Sequence, residues 1–277
     1  MQLRQLPQVM LYSICKFIKN RSRYLLGQHG LSLGLGLLFV AVIGWMGLRS
    51  ARAIGESSKF QIAQLLYEQS GPTRNQALMR LLRETHRRTS VDPQLRIVEI
   101  RANDPKLFSY PLLYLAGDTG FSPWPQSDVL RLRNYLMAGG TLFIDMTDGD
   151  IGSDFDLSVR RLVKRIFPHN PLEKLKQEHS LYRSFYLIRR FGGRRLLQPY
   201  LEGVTRDDRT PIIYSMNDHI GSWERDNFGN WVYPVTPGGD SQREHAFRFG
   251  INLIMYALCV NYKQDAVHVP IIMRRGR

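Results

Sequence analysis

The stretch YPLLYLAGDTGF (residues 110–121) runs from an uninterrupted apolar segment straight into a glycine-flanked Asp-Thr turn. Tyr110 to Ala116 shows no polar alternation, as a strand buried on both faces requires, and such strands belong to parallel sheets covered by helices. A helix carrying Val129, Leu132, Tyr135 and Leu136 follows, and Gly139-Gly140 is placed to end it. Thr141 to Asp145 (TLFID) then repeats the buried-strand pattern. Asp154 is positioned to cap a further helix with the apolar face Phe155, Val159, Leu162, Val163 and Ile166, stopped by Pro168. Strand, helix, strand, helix in this order means parallel strands with right-handed crossovers.

Working outward, Phe60 to Tyr67 is predicted as a strand. Thr73 and Gln76 form a capping-box pattern before an amphipathic helix with Leu78, Leu81, Leu82 and Thr85. Leu95 to Ile100 alternates like a half-exposed strand. Downstream, Leu181 to Ile188 and Pro211 to Ser215 are strand candidates, and Met216 to Gly239 is a long polar and aromatic loop. Ser241 and Glu244 offer a second capping box before a helix to about Val260, deeply packed from Ala246 onward because it is apolar on most of its circumference. Val267 to Met273 is predicted as an edge strand. The expected fold is a three-layer α/β sandwich with a mainly parallel sheet, and ligands on such sheets sit at the carboxyl ends of the strands.

The N-terminal part differs in kind. Of the net charge of +14, half lies within residues 1–53, which hold seven Lys or Arg and no acid. Leu31 to Leu48 is free of charge, and at about 1.5 Å per residue it nearly spans a hydrocarbon core. The excess of basic residues before it predicts a cytoplasmic N-terminus. The expected organisation is a basic cytoplasmic tail (1–30), a transmembrane anchor or signal core (31–48), a linker (49–58) and an exported α/β domain (59–277). Ala51-Arg52-Ala53 fits a cleavage point after Ala53, whereas the length of the apolar run and the flanking arginines fit an uncleaved anchor. The protein is therefore expected at the inner membrane with its domain on the extracytoplasmic side, or in the periplasm once cleaved. Cys15 and Cys259 lie on either side of the apolar run and have no metal-ligand spacing.

Arg80, Arg83, Arg87 and Arg88 share one predicted helix, and Arg160, Arg161 and Arg165 another. They read as solvated helix faces or as a cationic face towards an anionic bilayer. A clustered patch interleaved with aromatics, which nucleic acid needs, is missing.

The segments YPLLYLAGDTGF (Tyr110 to Phe121), GGTLFIDMTDG (Gly139 to Gly149), LYRSFYLI (Leu181 to Ile188), RDNFGNWVYPVTPGGDSQREHAFRFGINLIMYAL (Arg225 to Leu258) and VHVPIIMRR together resemble the bacterial domain-of-unknown-function family 4159. The resemblance runs from Phe60 to about Arg275. It implies a class I glutamine amidotransferase-like (flavodoxin-like) fold, export by a signal or anchor, and envelope AAA-type ATPases and von Willebrand factor A proteins as partners. It implies no activity.

The chemistry expected of that fold is not all present. An amidotransferase needs a cysteine on the turn after a central strand, and Met146-Thr147-Asp148-Gly149 has none. A Gly-x-Ser-x-Gly elbow is also missing, and Cys259 reads as a small buried helix residue. The acids Asp145, Asp148, Asp150, Asp154 and Asp156 do not match a calcium-loop spacing, so neither metal nor cofactor is implied. The candidate catalytic residues are Asp118, Asp145 and His179. Ligand-binding candidates are Thr119, Thr147 and Asp218 at strand ends, with Trp223, Asn227 and Trp231 as a carbohydrate-stacking loop. The expectation is a non-catalytic binding or scaffolding module of the envelope. The alternative is a hydrolase of an envelope glycan or peptide that uses Asp118 or Asp145 with His179.

Overall fold

The structure, a computed structural model, describes residues 59–68 and 73–274, with the side chains of 260–274 left aside. The tail, anchor, cleavage and linker expectations fall on residues 1–58, outside the described residues. Among the described residues no helix is long and apolar enough to cross a membrane.

The domain is α/β, built on a seven-stranded mixed sheet. Its strands are β1 (Ile62–Leu65), β2 (Val98–Ile100), β3 (Leu112–Gly117), β4 (Thr141–Met146), β5 (Glu173–Lys174), β6 (Glu202–Arg206) and β7 (Arg209–Ser215). They lie in the order β2-β1-β3-β4-β7-β6-β5. The first five in that order are parallel, and β6 and β5 close the edge antiparallel. The predicted buried strands are the two central ones, and every residue of β4 is buried.

Helices cover both faces. On one side α2 (Gln126–Met137) and α3 (Asp154–Ile166) pack through Val129, Leu132, Phe155, Val159 and Leu162 onto Leu113, Leu115, Leu142 and Ile144. On the other side α1 (Asn75–Arg88), the short α4 (His219–Trp223) and α5 (Gly239–Arg274) cover Leu112, Tyr114, Phe143 and Ile213. Strict alternation along β3 and β4 sends successive side chains to opposite cores, so the strands read as continuous apolar runs.

Several local expectations are corrected. Leu181 to Ile188 is not a strand. Ser180–Arg183 is a 3-10 turn, and the segment beyond it bonds to α5, whose Asn252 accepts from Tyr186 N–H and donates to the Leu181 and Tyr186 carbonyls. Its backbone groups are thus satisfied by a helix side chain rather than a neighbouring strand. The edge is formed instead by the short β5, paired to β6, and the β6–β7 hairpin inside it has a two-residue turn that holds Asp207 and Asp208 at φ 49° and 62°. Val267 to Met273 is helical, because α5 runs on to Arg274 and a formed helix propagates more easily than it stops.

Caps shift as well. Thr73 and Asn75 donate to Glu99 Oε1, leaving Arg74 to start α1 without a side-chain cap. Ser153, not Asp154, caps α3. Ser241 lies inside α5, and Glu244 pairs with Arg88 and Arg248. Cys259 is exposed on α5 rather than buried.

Candidate binding cleft at the strand ends

Three parallel strands deliver polar residues to one end of the sheet: Asp118 and Thr119 after β3, Thr147 and Asp148 after β4, and Asn217 and Asp218 after β7. Asp145, opposite Ser215 in the β4–β7 register, lies just beneath them. It is fully buried and accepts from Tyr114 Oη at 2.6 Å and from the backbone N–H groups of His219 and Ile220 at 3.0 and 2.8 Å. Burial, and then the neighbouring Asp218 carboxylate, pushes its pKa up to about 7 against those three donors. Asp145 therefore anchors the start of α4 and presents no surface to a ligand.

Asp218 is also buried, in a left-handed conformation at φ 51° that Asp tolerates better than most residues. Its carboxylate caps α4 through Gly221 N–H and pairs with Arg194 and, at 3.5 Å, with Arg74. Both guanidinium groups lie over Tyr233, at 5.1 Å for Arg74 and 4.9 Å for Arg194. Arg194 also donates to Thr147 O, and Arg195 to Asp148 O. Asn217 accepts from Leu197 and Gln198 N–H. The arginine pair is held there by Gly192 and Gly193, where a Cβ would meet α5 backbone and Asn217 respectively. Sequence reading missed Arg74, Arg194, Arg195 and Tyr114; the visible signal was Gly192-Gly193-Arg194-Arg195, a glycine pair leading into two cations.

The histidines do not join this group as acid–base partners. His179 Nε2 bonds to Thr210 Oγ1 at 2.8 Å while Nδ1 accepts from Leu181 N–H. Thr210 lies near the start of β7 and Ser215, Asp145's neighbour, at its end. Five residues at about 3.3 Å each put His179 roughly 16 Å along the strand from Asp145. The structure thus brings Asp145 and Asp218 together and leaves His179 at the other end of the sheet. His219 sits between Phe249, Phe143 and Trp223, with ring centroids 4.3, 5.8 and 6.1 Å away. Neither ring nitrogen has a hydrogen-bond partner among the described residues, and burial lowers its pKa to about 3.

The stacking loop is likewise used internally. Trp223 is fully buried, and Trp231 is flanked by the guanidinium groups of Arg225 and Arg243 at 3.9 and 4.0 Å. Asn227 is exposed at the loop tip.

What stays open is the crevice where the chain reverses its direction of winding, between β1 and β3, the place where doubly wound sheets take ligands. Asp118 and Thr119 are exposed on its rim, their side chains bonded to each other at 3.0 Å. Tyr67, after β1, has its pKa raised to about 12 by burial and then by the Asp118 charge, while the N–H groups of Thr119 and Asp118 oppose the shift. A Cβ on Gly117 would collide with Tyr67 and Phe155, so glycine is what lets the ring pack here. Beside it is an open depression of about 380 Å³ lined by Tyr67, Glu68, Arg101, Asn103, Trp124 and Asp128. Thr147, beneath the rim, is buried. Among the described residues no three His, Cys, Asp or Glu side chains gather as a metal site.

No curated protein matches this chain. The profile of the domain of unknown function DUF4159 matches residues 61–258, from the first strand to deep within the last helix. The match covers the whole sheet and both helical layers, and the chain belongs to the DUF4159 family.

Proposed function

We propose that this chain is an envelope protein of bacteria, anchored or exported through residues 31–48, whose α/β domain is a non-catalytic binding or scaffolding module. The observation that carries the reading is the use made of the strand-end acids. Asp145 and Asp218 are buried and committed to α4 and to two arginines, and His179 bonds elsewhere. The accessible groups are those of the crevice, Asp118 and Thr119, with exposed Glu68 and Arg101 and half-buried Asp128 in the adjoining depression. Carboxylates and a hydroxyl beside the rings of Tyr67 and Trp124 suit a ligand that offers amine or hydroxyl donors with an apolar body.

The strand order 2-1-3-4 agrees with a flavodoxin-like or amidotransferase-like ancestry, with the turn after β4 lacking a cysteine. Charge asymmetry around the apolar run supports extracytoplasmic exposure, with envelope AAA-type ATPases and von Willebrand factor A proteins as the partner class.

The test is affinity capture of the full-length protein from detergent-solubilised membranes, wild type against Asp118→Ala. Envelope proteins that co-purify with wild type and are depleted at least tenfold in the variant support the proposal. Turnover of a cell-wall glycan or peptide by the purified protein, abolished by Asp118→Ala with folding intact, would overturn it in favour of a hydrolase working without His179.

A further inference from the structure

Phe228 is 91% exposed, the most exposed large apolar side chain among the described residues. Its display is not the result of a loose loop. Arg225 and Trp231 form an antiparallel bridge, and the Asp226 carboxylate between them accepts from Phe228 N–H, Asn230 N–H and Asn230 Nδ2. Gly229, at φ +88°, completes the turn. The five residues 226–230 thus make a braced tip that displays a phenyl ring, and Val232, just past the bridge in sequence, is 42% exposed.

The base of the tip is cationic. Arg225, Arg243 and Arg80 surround Trp231 at 3.9, 4.0 and 5.8 Å, and Arg83 lies one turn along α1 from Arg80. The nearby acids are engaged elsewhere: Glu84 with Arg87 and Arg88, Glu224 with Arg74, Asp226 within its own turn, and Asp240 with Arg243 at 3.8 Å. Arg80, Arg83 and Arg225 have no ion-pair partner among the described residues. The charges of Arg225 and then Arg83 add to burial in lowering the Arg80 pKa, with Glu84 opposing them.

We infer that this tip and collar form a docking surface for an anionic phospholipid bilayer, with Phe228 and Val232 entering the headgroup–acyl boundary and Arg80, Arg83 and Arg225 meeting lipid phosphates. An apolar wedge above unpaired cations complements that interface in both polarity and charge. The linker of ten residues, 49–58, has a contour length of about 35 Å when extended, so an anchor at residues 31–48 would tether Lys59 within that reach of a bilayer. In that respect the inference rests on the anchored reading above. The cleft and this surface are read out by different variants, so one can fail without the other.

Residues 59–277 contain the whole sheet and both covering layers, so this piece can be tested free of the apolar run. It is expected to co-sediment with phosphatidylglycerol vesicles and not with phosphatidylcholine vesicles. Arg83→Gln should weaken binding about fivefold, the equivalent of about 1 kcal/mol per basic group at an anionic surface. Phe228→Ala should weaken it about tenfold, through loss of a buried phenyl ring. Both side chains are exposed, so thermal unfolding should be unchanged. No vesicle binding, equal binding to both lipids, or binding indifferent to both substitutions overturns the inference. So does a folded protein partner captured through Phe228 in place of vesicles.

Discussion

The backbone N–H of His219 donates to the Asp145 carboxylate, and the protons of the two side chains act on stability in opposite directions. Asp145 is raised from 3.8 to about 7, so between those values the folded state holds a proton that the unfolded state has lost. Its contribution is largest at low pH and falls as pH rises through that window. His219 is lowered from 6.5 to about 3, so across that range the unfolded state binds the extra proton and stability rises with pH. The two slopes largely offset each other where they overlap. Asp145→Asn should therefore make stability, relative to wild type, rise with pH between about 4 and 7, and His219→Phe should make it fall between about 3 and 6.5. Guanidinium melts of the three proteins across that range check both signs; parallel profiles would refute the pairing. Asp145 was legible as a strand-end acid, but its burial was not. It exists only once β3 brings Tyr114 and β7 brings α4 against it.

The β6–β7 turn was invisible in the sequence because Arg206-Asp207-Asp208-Arg209 reads as a charged loop rather than an Asn-Gly type I′ signal. Both central residues nonetheless have positive φ, which glycine adopts without the steric cost an aspartate bears. Replacing Asp207-Asp208 by Asn-Gly should raise stability by about 0.5–1 kcal/mol, read as a higher melting temperature with an unchanged fold. An unchanged or lower value would mean the turn is not under strain. In α3 the periodic face was read correctly from Phe155 to Ile166 while its cap was misassigned by one residue. Cap identity depends on which side chain reaches back to a free N–H, here Ser153 Oγ to Asp156 N–H at 3.2 Å.

Across the whole molecule, the loop from Gln177 to Pro199 links the sheet to α5, and Asn252 is the pin. Its amide makes three bonds to Leu181 and Tyr186 backbone from a fully buried position. Asn252→Ala should cost about 2–4 kcal/mol, since three backbone groups lose partners at about 1 kcal/mol or more each. Limited proteolysis should cut first between 181 and 190 in the variant; cleavage unchanged from wild type would show that the loop is held by other contacts.

The parallel core was determined by the sequence alone, because charge-free runs such as Tyr110 to Ala116 have no solvated face and must be covered on both sides. The same holds for the apolar faces of α1 to α3, which follow from local 3.6-residue spacing. Tertiary structure alone decided which strand-end acids remain open. Asp118 and Asp218 each follow an apolar strand, yet only Asp218 finds Arg74 and Arg194, from segments more than a hundred residues apart, to hold it out of solvent. Burial and charge pairing are properties of the assembled chain, and local pattern carries no trace of them.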